Sequence, residues 1–408
     1  MRIAVVGNFG LTGKQTMVAR ALPLAEQLVA LGHSVYMVLP VRCNSDLQKD
    51  SREGRGVQLR YVGRGPRVPI LTQLWQLLLL AHFAWHWHPE VLYCFKPIAY
   101  SGGVLSIFWW LRRLGLYRGR ILLDTDDWEG DGGWNERQPF PWWLKRLIAR
   151  QERWSLLHAD LVSVASRALL ERAEQLGVRR VLYLPNALAA SSPGLLTPTD
   201  SELRSRLLLE GRPVVLLYTR FFEFGLDRLL DTFQEIVRQR SGAVLLVVGL
   251  GLEGEEAELK WLAEARGLER QIILAGWLPR EEVASYLAVA DVALYPLDDT
   301  FLNRTKCPVK LLDLIAAGVP VIADRVGQAE EYIEDGRTGI LVTPGDWEAM
   351  ARATVGLLED PLRRAALGEA ARAEARVRWR WELWAKDVEQ ALVETWRRGD
   401  GAMGRDNV

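Results

Sequence analysis

The residues whose types and spacing could do chemistry fall in three clusters, each just beyond a short apolar run. The first is Asn303-Arg-Thr-Lys-Cys-Pro-Val-Lys-Leu-Leu-Asp-Leu-Ile-Ala-Ala-Gly-Val-Pro-Val-Ile-Ala323. A polar loop passes through Pro308 into a helix that stops at Gly318, and Pro320 begins the following strand. Lys306, Lys310 and the loop backbone could neutralise a diphosphate at the start of that helix, where aligned peptide dipoles favour an anion. The plainer alternative is an amphipathic helix with solvated lysines. The second cluster, Leu217-Tyr-Thr-Arg-Phe-Phe-Glu-Phe-Gly-Leu-Asp227, puts Arg220 just past a strand, at the edge where parallel sheets hold ligands. A surface arginine is the alternative there.

The third cluster is Leu123-Asp-Thr-Asp-Asp-Trp-Glu-Gly-Asp-Gly-Gly133, a crowd of carboxylates after a strand end, followed by glycines that permit an unusual loop path. Partly buried carboxylates repel one another, so at least one should hold its proton to a higher pH than usual. Asp126 and Asp127 are the candidates to take a proton from a hydroxyl, with Asp124 and Glu129 available to bind hydroxyl groups. A structural acidic turn and a metal-binding D-x-D at Asp124-Thr-Asp126 remain open beside that reading. Lys96, in Tyr93-Cys-Phe-Lys-Pro-Ile98, follows another strand and suits a phosphate or a hydroxylated ligand.

Some motifs point elsewhere. Gly7-Asn-Phe-Gly-Leu-Thr-Gly-Lys-Gln15 fails as a P-loop, because Asn8 takes the first glycine position and Gln15 that of the magnesium-binding hydroxyl. Its glycines, Gly10 and Gly13, would instead let the backbone approach a ligand closely. Gly249-Leu-Gly-Leu-Glu-Gly254 has the dinucleotide spacing, but the next strand ends Ile273-Leu-Ala-Gly276 without the acidic residue that reading needs. A tight strand-helix turn is the better account. His82, His86 and His88 lack a carboxylate or thiolate companion, so no metal site is expected.

These clusters need elements to position them. Strands Ile3–Val6, Ser34–Leu39, Val91–Cys94, Ile121–Leu123 and Leu161–Val164 alternate with helical stretches, the first of them Gln15–Leu31. A small-residue and proline stretch, Ala189–Pro198, then reads as a linker. Alternation restarts with strands Val214–Tyr218, Val244–Val248, Ile272–Leu274, Val292–Tyr295 and Val319–Ala323. Continuous apolar strands alternating with helices imply parallel sheets covered on both faces. The expected fold is α/β, with two doubly wound Rossmann-like domains facing a cleft. Residues 1–190 form the first domain and 191–375 the second. Residues 376–408 supply a tryptophan-rich helix packing back on the first domain and a frayed tail from Arg397.

Composition narrows the function. The 408 residues suit two domains, and 51 basic against 51 acidic residues argue against general binding of nucleic acid. Cys43, Cys94 and Cys307 lie far apart, which suits a reducing cytoplasm, and the N-terminus enters a strand without the pattern of a secretory signal. The apolar run Pro69–Trp87 reads as a core helix first, with a membrane-docked helix and a membrane span as alternatives. Phe108–Arg120 and Pro141–Arg150 interleave tryptophans with cations, as segments at the inner face of an anionic cell membrane do. Ordinary core helices with basic outer faces explain them equally well.

The first cluster also carries a family likeness. Its Ala317-Gly-Val-Pro-Val321 run, with Asp313 before it, resembles the donor site of glycosyltransferase family 4, retaining enzymes of the GT-B fold. In that family two glutamates precede the run; Asp313 stands at the second and Thr305 at the first. The likeness is good over Val214–Leu358 and weaker through the first domain. It implies a sugar moved from a nucleotide-diphosphate sugar, UDP- or GDP-linked, to a glycan or glycolipid acceptor, with no obligatory metal or cofactor. Asp313 would accept hydrogen bonds from the ribose, with Thr305, Lys306 and Leu311 on the same donor loop, and Gly276 and Trp277 beside the base. Arg220 would grip the diphosphate, and Phe224 replaces the family's lysine, a charge that Lys310 or Lys306 would supply. Gly10 and Gly13 would approach donor or acceptor, Asp126 and Asp127 act in catalysis, and Lys96, Asp124 and Glu129 hold the acceptor. A non-catalytic sugar-nucleotide binder and a nucleotide-sugar epimerase of the same fold are the alternatives.

Overall fold

The computed structural model describes residues 1–11, 16–41, 55–63, 65, 68–200 and 202–402. Gly13, Lys14, Gln15 and Cys43 lie outside the described residues, so the readings made on them have no structural counterpart here. The chain divides into two units. One comprises Met1–Ala187, Thr305–Cys307 and Trp381–Val408; the other comprises Leu188–Arg304 and Pro308–Arg380.

The first unit is built on a seven-stranded sheet: β1 (Arg2–Val6), β2 (Ser34–Pro40), β3 (Gln58–Val62), β4 (Val91–Phe95), β5 (Arg120–Thr125), β6 (Leu161–Val164) and β7 (Val181–Tyr183). The order is β3-β2-β1-β4-β5-β6-β7 and every pairing is parallel. Strands β4 and β6 are buried throughout, which is why they consist of apolar side chains with few polar ones. Parallel neighbours need a returning helix between them. Those helices are α1 (Leu22–Ala30), α2 (Pro69–His86), α3 (Ala99–Arg113), α4 (Trp142–His158) and α5 (Arg167–Gln175). Right-handed crossovers put α2, α3 and α4 on one face of the sheet, because their connections all step in the same direction. They pack in that order, α2 on α3 and α3 on α4. Ahead of α1 the chain makes a π-helical turn, Met17–Ala21, in place of the regular helix expected there.

The second unit has a six-stranded parallel sheet of β8 (Val214–Tyr218), β9 (Val244–Val248), β10 (Ile272–Gly276), β11 (Val292–Tyr295), β12 (Val321–Asp324) and β13 (Ile340–Val342), in the order β10-β9-β8-β11-β12-β13. Its main helices are α6 (Leu226–Gln239), α7 (Glu255–Ala265), α8 (Arg280–Ala288), α9 (Val309–Ala317), α10 (Trp347–Glu359) and α11 (Pro361–Arg378). Helix α6 buries Leu226, Leu229, Leu230, Phe233 and Ile236, spaced at three and four residues, in the core with Val215, Leu217 and Val247. Each such side chain contributes roughly 1.5–3 kcal/mol when removed from water. Helix α9 ends as expected, with Gly318 in the left-handed region at φ 76°.

The continuous helix expected over Val377–Trp396 is interrupted. Helix α11 stops at Arg378 and α12 (Trp381–Ala402) begins three residues later. Between them the Trp379 carbonyl accepts from the Leu188 amide at 2.8 Å, and Arg380 bridges Leu188. Trp379 is buried edge-on against Tyr332, at 4.6 Å between ring centroids. Trp381 is buried with the Arg20 guanidinium 5.7 Å from its ring. Burying both rings takes an extended break that helical periodicity alone does not show. The tail expected to fray from Arg397 remains helical to Ala402, and 403–408 lie outside the described residues. Helix α12 packs on α1 within the first unit, where Arg180 donates to Thr395 at 2.8 Å.

Candidate functional site

In the first unit the carboxyl ends of β1, β4 and β5 converge on one charged cluster. Lys96 leaves β4 in the left-handed region, at φ 79°, and Ala99 follows at φ 51°. For residues with a Cβ each such conformation costs about 1–3 kcal/mol and persists only where neighbours enforce it. Here Gln151 of α4 clamps Ala99, accepting from its amide at 2.9 Å and donating to its carbonyl at 3.2 Å. Asn8, after β1, accepts from the Ser101 amide and hydroxyl, both at 2.8 Å, and donates to Ile98 at 2.9 Å. The residue that spoils a P-loop therefore ties the β1 and β4 loops together. Gly10 lies on the same described loop and is buried.

The strained turn places the buried Lys96 ammonium 2.8 Å from Asp126, 3.0 Å from Asp127 and 2.7 Å from Glu129. Burial opposes the lysine's charge, but the three carboxylates outweigh it and hold it firmly protonated. Asp126 also accepts from Thr16 at 2.8 Å. Against its burial, Lys96 and Arg20 hold Asp126 below the usual carboxylate range. Asp127 responds differently. Burial, with the charges of Asp126 and Glu129, pushes it up to about 6, although Lys96 and Lys306 pull the other way. It is also the most exposed of the three side chains.

Beneath this group, Arg20 of the π-helical turn forms a two-pronged pair with Asp124, Nε and Nη2 each donating at 2.7 Å. Arg20 further donates to Asn186 at 3.2 Å, and Ser163 donates to Asp124 at 2.5 Å. Asp124, expected to hold the acceptor, is thus buried and bonded beneath the site. Its D-x-D alternative meets the same obstacle, because Asp124 faces a guanidinium and Asp126 an ammonium. Among the described residues no group of His, Cys, Asp and Glu is arranged to hold a metal ion. Asn186 also donates to the Cys307 carbonyl at 2.6 Å, and Ser166 to the Thr305 carbonyl at 2.7 Å. Thr305 is fully buried, so the position of the family's first acid presents no exposed acceptor. Lys306, in the same tripeptide, acts on Asp127 in the first unit.

The second unit gathers a different set. Helix α9 sends Lys310 back to the end of β8, where its ammonium donates to the Thr219 carbonyl and lies 4.5 Å from the Tyr218 ring centroid. Arg220 is the next residue, exposed, and among the described residues its guanidinium has no hydrogen-bond or ion-pair partner. Phe221 follows in the left-handed region, at φ 70°, with its ring buried. Phe224, at the family's lysine position, packs in the core beside Leu226 and Leu229. Gly249 has φ 129°, and a Cβ there would clash with Thr219 and lie 3.2 Å from Lys310, so the glycine-rich run is a tight turn that admits the lysine.

Asp313 is buried on α9, and its Oδ1 has no hydrogen-bond partner among the described residues. Burial pushes it up to about 7 despite Arg280, the Gly194 amide and Lys310. That leaves an inward-facing acceptor with spare capacity, as a ribose hydroxyl would require. The Leu311 side chain is in the core, so only its amide, in the first turn of α9, remains for a ligand. Gly276, at φ 69°, ends β10 and accepts from the Gly249 amide at 2.8 Å, while Trp277 beyond it is exposed.

Sequence reasoning missed Arg20, Asn8, Ser163 and Glu152. Buried Glu152 accepts from the amides of Glu129 and Gly130 at 2.9 and 2.8 Å, and burial pushes it up to about 8. It is the one acid in the basic helix α4, and that oddity was the available signal. Arg20 had none, reading as an ordinary helix cation.

Two family models match the chain, "Glycosyl transferase 4-like domain" over residues 15–187 and "Glycosyl transferases group 1" over 212–360. The GDP-mannose-dependent alpha-(1-6)-phosphatidylinositol monomannoside mannosyltransferase of Mycolicibacterium smegmatis is 32% identical over 228 residues, 55% of this chain and 59% of that protein. The alpha-D-kanosaminyltransferase of Streptomyces kanamyceticus is 28% identical over 238 residues, 56% of this chain and 60% of its own length. The chain thus spans less than two thirds of these curated relatives. Among solved structures, sucrose-phosphate synthase from Thermosynechococcus elongatus superposes with a TM-score of 0.74 at 20% identity, covering 98% of this chain and 100% of that one. Anabaena Alr3699/HepE in complex with UDP gives 0.71 at 18% identity, covering 97% and 100%. These likenesses, with the two parallel sheets, give the fold as GT-B.

Proposed function

The chain belongs to the group 1 glycosyl transferases, and from that premise we propose that it moves a sugar from a nucleotide-diphosphate sugar to a hydroxyl of a glycan or glycolipid acceptor. The observation that carries this reading is the pairing at the end of β8: Lys310 folded onto the Thr219 carbonyl, and Arg220 exposed beside it with no partner among the described residues. As the bond from the anomeric carbon to the diphosphate oxygen breaks, negative charge grows on the departing nucleoside diphosphate, and fixed cations lower that barrier. Asp313 takes hydrogen bonds from the ribose hydroxyls, with Gly276, Trp277 and the Leu311 amide along the nucleotide.

In the first unit Asp127 receives the proton of the acceptor hydroxyl as its oxygen bonds to the anomeric carbon. Lys96, Asp126 and Glu129 hold that carboxylate and the acceptor's other hydroxyls in place. Retention at the anomeric carbon, a UDP or GDP donor, no obligatory metal or cofactor, and a cytoplasmic setting at the inner face of the membrane complete the proposal. The relatives' GDP-mannose and phosphatidylinositol mannoside chemistry supports a lipid-linked acceptor. A second reading, a sugar-nucleotide binder without turnover, is favoured by the burial of Thr305 and Phe224, which removes two of the family's polar contacts.

Thermal unfolding against a panel of UDP-, GDP- and ADP-sugars, with nucleotide release followed in parallel, tests both. One nucleotide class should raise the midpoint and be released when a lipid extract is added. Binding with no release under any acceptor supports the second reading. Binding of NAD(H) alone would sink both.

A further inference from the structure

The first half of helix α2 has apolar residues on both its inner and its outer face, before His82 and His86 stand exposed further along. Its inner face, with Gln76, Leu80 and Ala84, is buried, while Leu71, Leu74, Trp75 and Leu78 line its outer face at helical spacing and stand exposed. A contiguous exposed patch of leucine and tryptophan is normally covered by a partner or a membrane, so this part of the outer face calls for a cover. The first turns of α4 present a similar surface, with Trp142 74% and Trp143 56% exposed.

Because the crossover helices run opposite to the strands, the starts of α2 and α4 lie at the same end of the sheet, flanking the start of α3. The Tyr100 hydroxyl donates to Gln76 at 2.8 Å on one side, and Gln151 holds Ala99 on the other. This is also the end that carries the acidic cluster. The α4 side chain Glu152 accepts the Glu129 and Gly130 amides there, and Asn135 donates to the Lys145 carbonyl at 2.9 Å.

Charge on this layer is one-sided. Helices α2, α3 and α4 carry Arg112, Arg113, Lys145, Arg146, Arg150 and Arg153, of which Arg112 pairs with Asp160 just past α4, and their one acid, Glu152, is buried. The chain as a whole is neutral, so this layer departs from it by its scarcity of acids rather than by an excess of basic residues. We infer that the outer face of α2 and the first half of α4 form a docking surface for an anionic lipid bilayer, which would present a glycolipid headgroup beside Lys96 and Asp127. Leucine and tryptophan suit the acyl boundary and the cations suit anionic headgroups. A second copy of the chain would instead bring like charges together. Trp109, which the sequence offered for this role, packs on Trp154 and His158 at 5.5 and 5.1 Å between centroids and contributes less.

The inference deepens the glycolipid reading, but its test needs no donor or turnover, so either can fail alone. The full chain is co-sedimented with phosphatidylcholine vesicles, with and without phosphatidylglycerol. Wild type should partition onto the anionic vesicles about tenfold or more above the neutral ones, given roughly 1 kcal/mol per basic residue at such a surface. Changing Leu74, Trp75, Trp142 and Trp143 to serine should abolish binding while unfolding temperature stays unchanged. Should that variant unfold, the pair Trp142→Ser and Trp143→Ser gives the same comparison. Arg146→Gln with Arg150→Gln should weaken anionic binding by about fivefold per cation. Wild-type protein that ignores both vesicles, serine variants that bind as well as wild type, or a wild-type dimer by light scattering that the serine changes dissolve would overturn it.

Discussion

Among the carboxylates around Lys96, Asp127 is held up to about 6 by burial and by Asp126 and Glu129, so its proton is the one that ordinary changes of pH should move. As the base it must be ionised, and kcat/KM should fall about tenfold per unit once pH drops below roughly 6. Asp127→Asn should lower kcat by about 10²–10⁴ and remove that acid limb. Asp313 titrates on the donor side, up to about 7 in the free protein. Ribose hydroxyls donate to its ionised form, so donor binding expels a proton and affinity should rise from about pH 6 to 8 and then level off. Calorimetry in buffers of different ionisation enthalpy would read that proton; a pH-independent affinity would remove Asp313 from the ribose. The carboxylate run was legible because five acids within eight residues are conspicuous in any sequence. Arg20, which pairs with Asp124 across 104 residues, was not, since that partnership exists only after β5 and the π-helical turn meet.

Helix α9 positions Lys310, Leu311 and Asp313 of the donor residues, and it rests on a one-turn helix, Pro193–Leu195. A Cβ on Gly194 would strike the Asp313 carbonyl and come 2.9 Å from Ala316. Gly194→Ala should therefore destabilise the protein by roughly 1–3 kcal/mol, read in chemical denaturation, and weaken donor binding as α9 shifts. Strands buried on both faces were easy to read from their apolar runs. Edge strand β3 was not, because Gln58 and Arg60 alternate with Leu59 and Tyr61, and β7 is only three residues long. The break at Trp379–Arg380 was hidden for another reason. Both flanking tryptophans continue the apolar pattern of a helix even though they are buried against different elements.

For the molecule as a whole, balanced totals of 51 basic and 51 acidic residues conceal two local departures, an acidic loop at Asp124–Asp131 and a basic, aromatic helix layer. Net charge was read correctly, but only folding gathers α2, α3 and α4 onto one face. The division into units was similarly only part-legible: the chain leaves the second unit for Thr305–Cys307, and again at Trp381. The three-residue excursion puts Lys306 with Asp127 in the first unit, while Lys310 of α9 stays in the second and donates to the carbonyl of Thr219, the residue before Arg220. The most direct measurement is release of nucleoside diphosphate from the sugar nucleotide that stabilises the protein, with a membrane lipid extract as acceptor. Wild type is compared with the Arg220→Ala, Lys310→Ala variant. The account predicts acceptor-dependent release by wild type and release slower by at least about 10²–10³ in the variant, with folding intact. A variant that releases nucleotide at the wild-type rate, or a wild-type protein inert with every donor and acceptor, would contradict it.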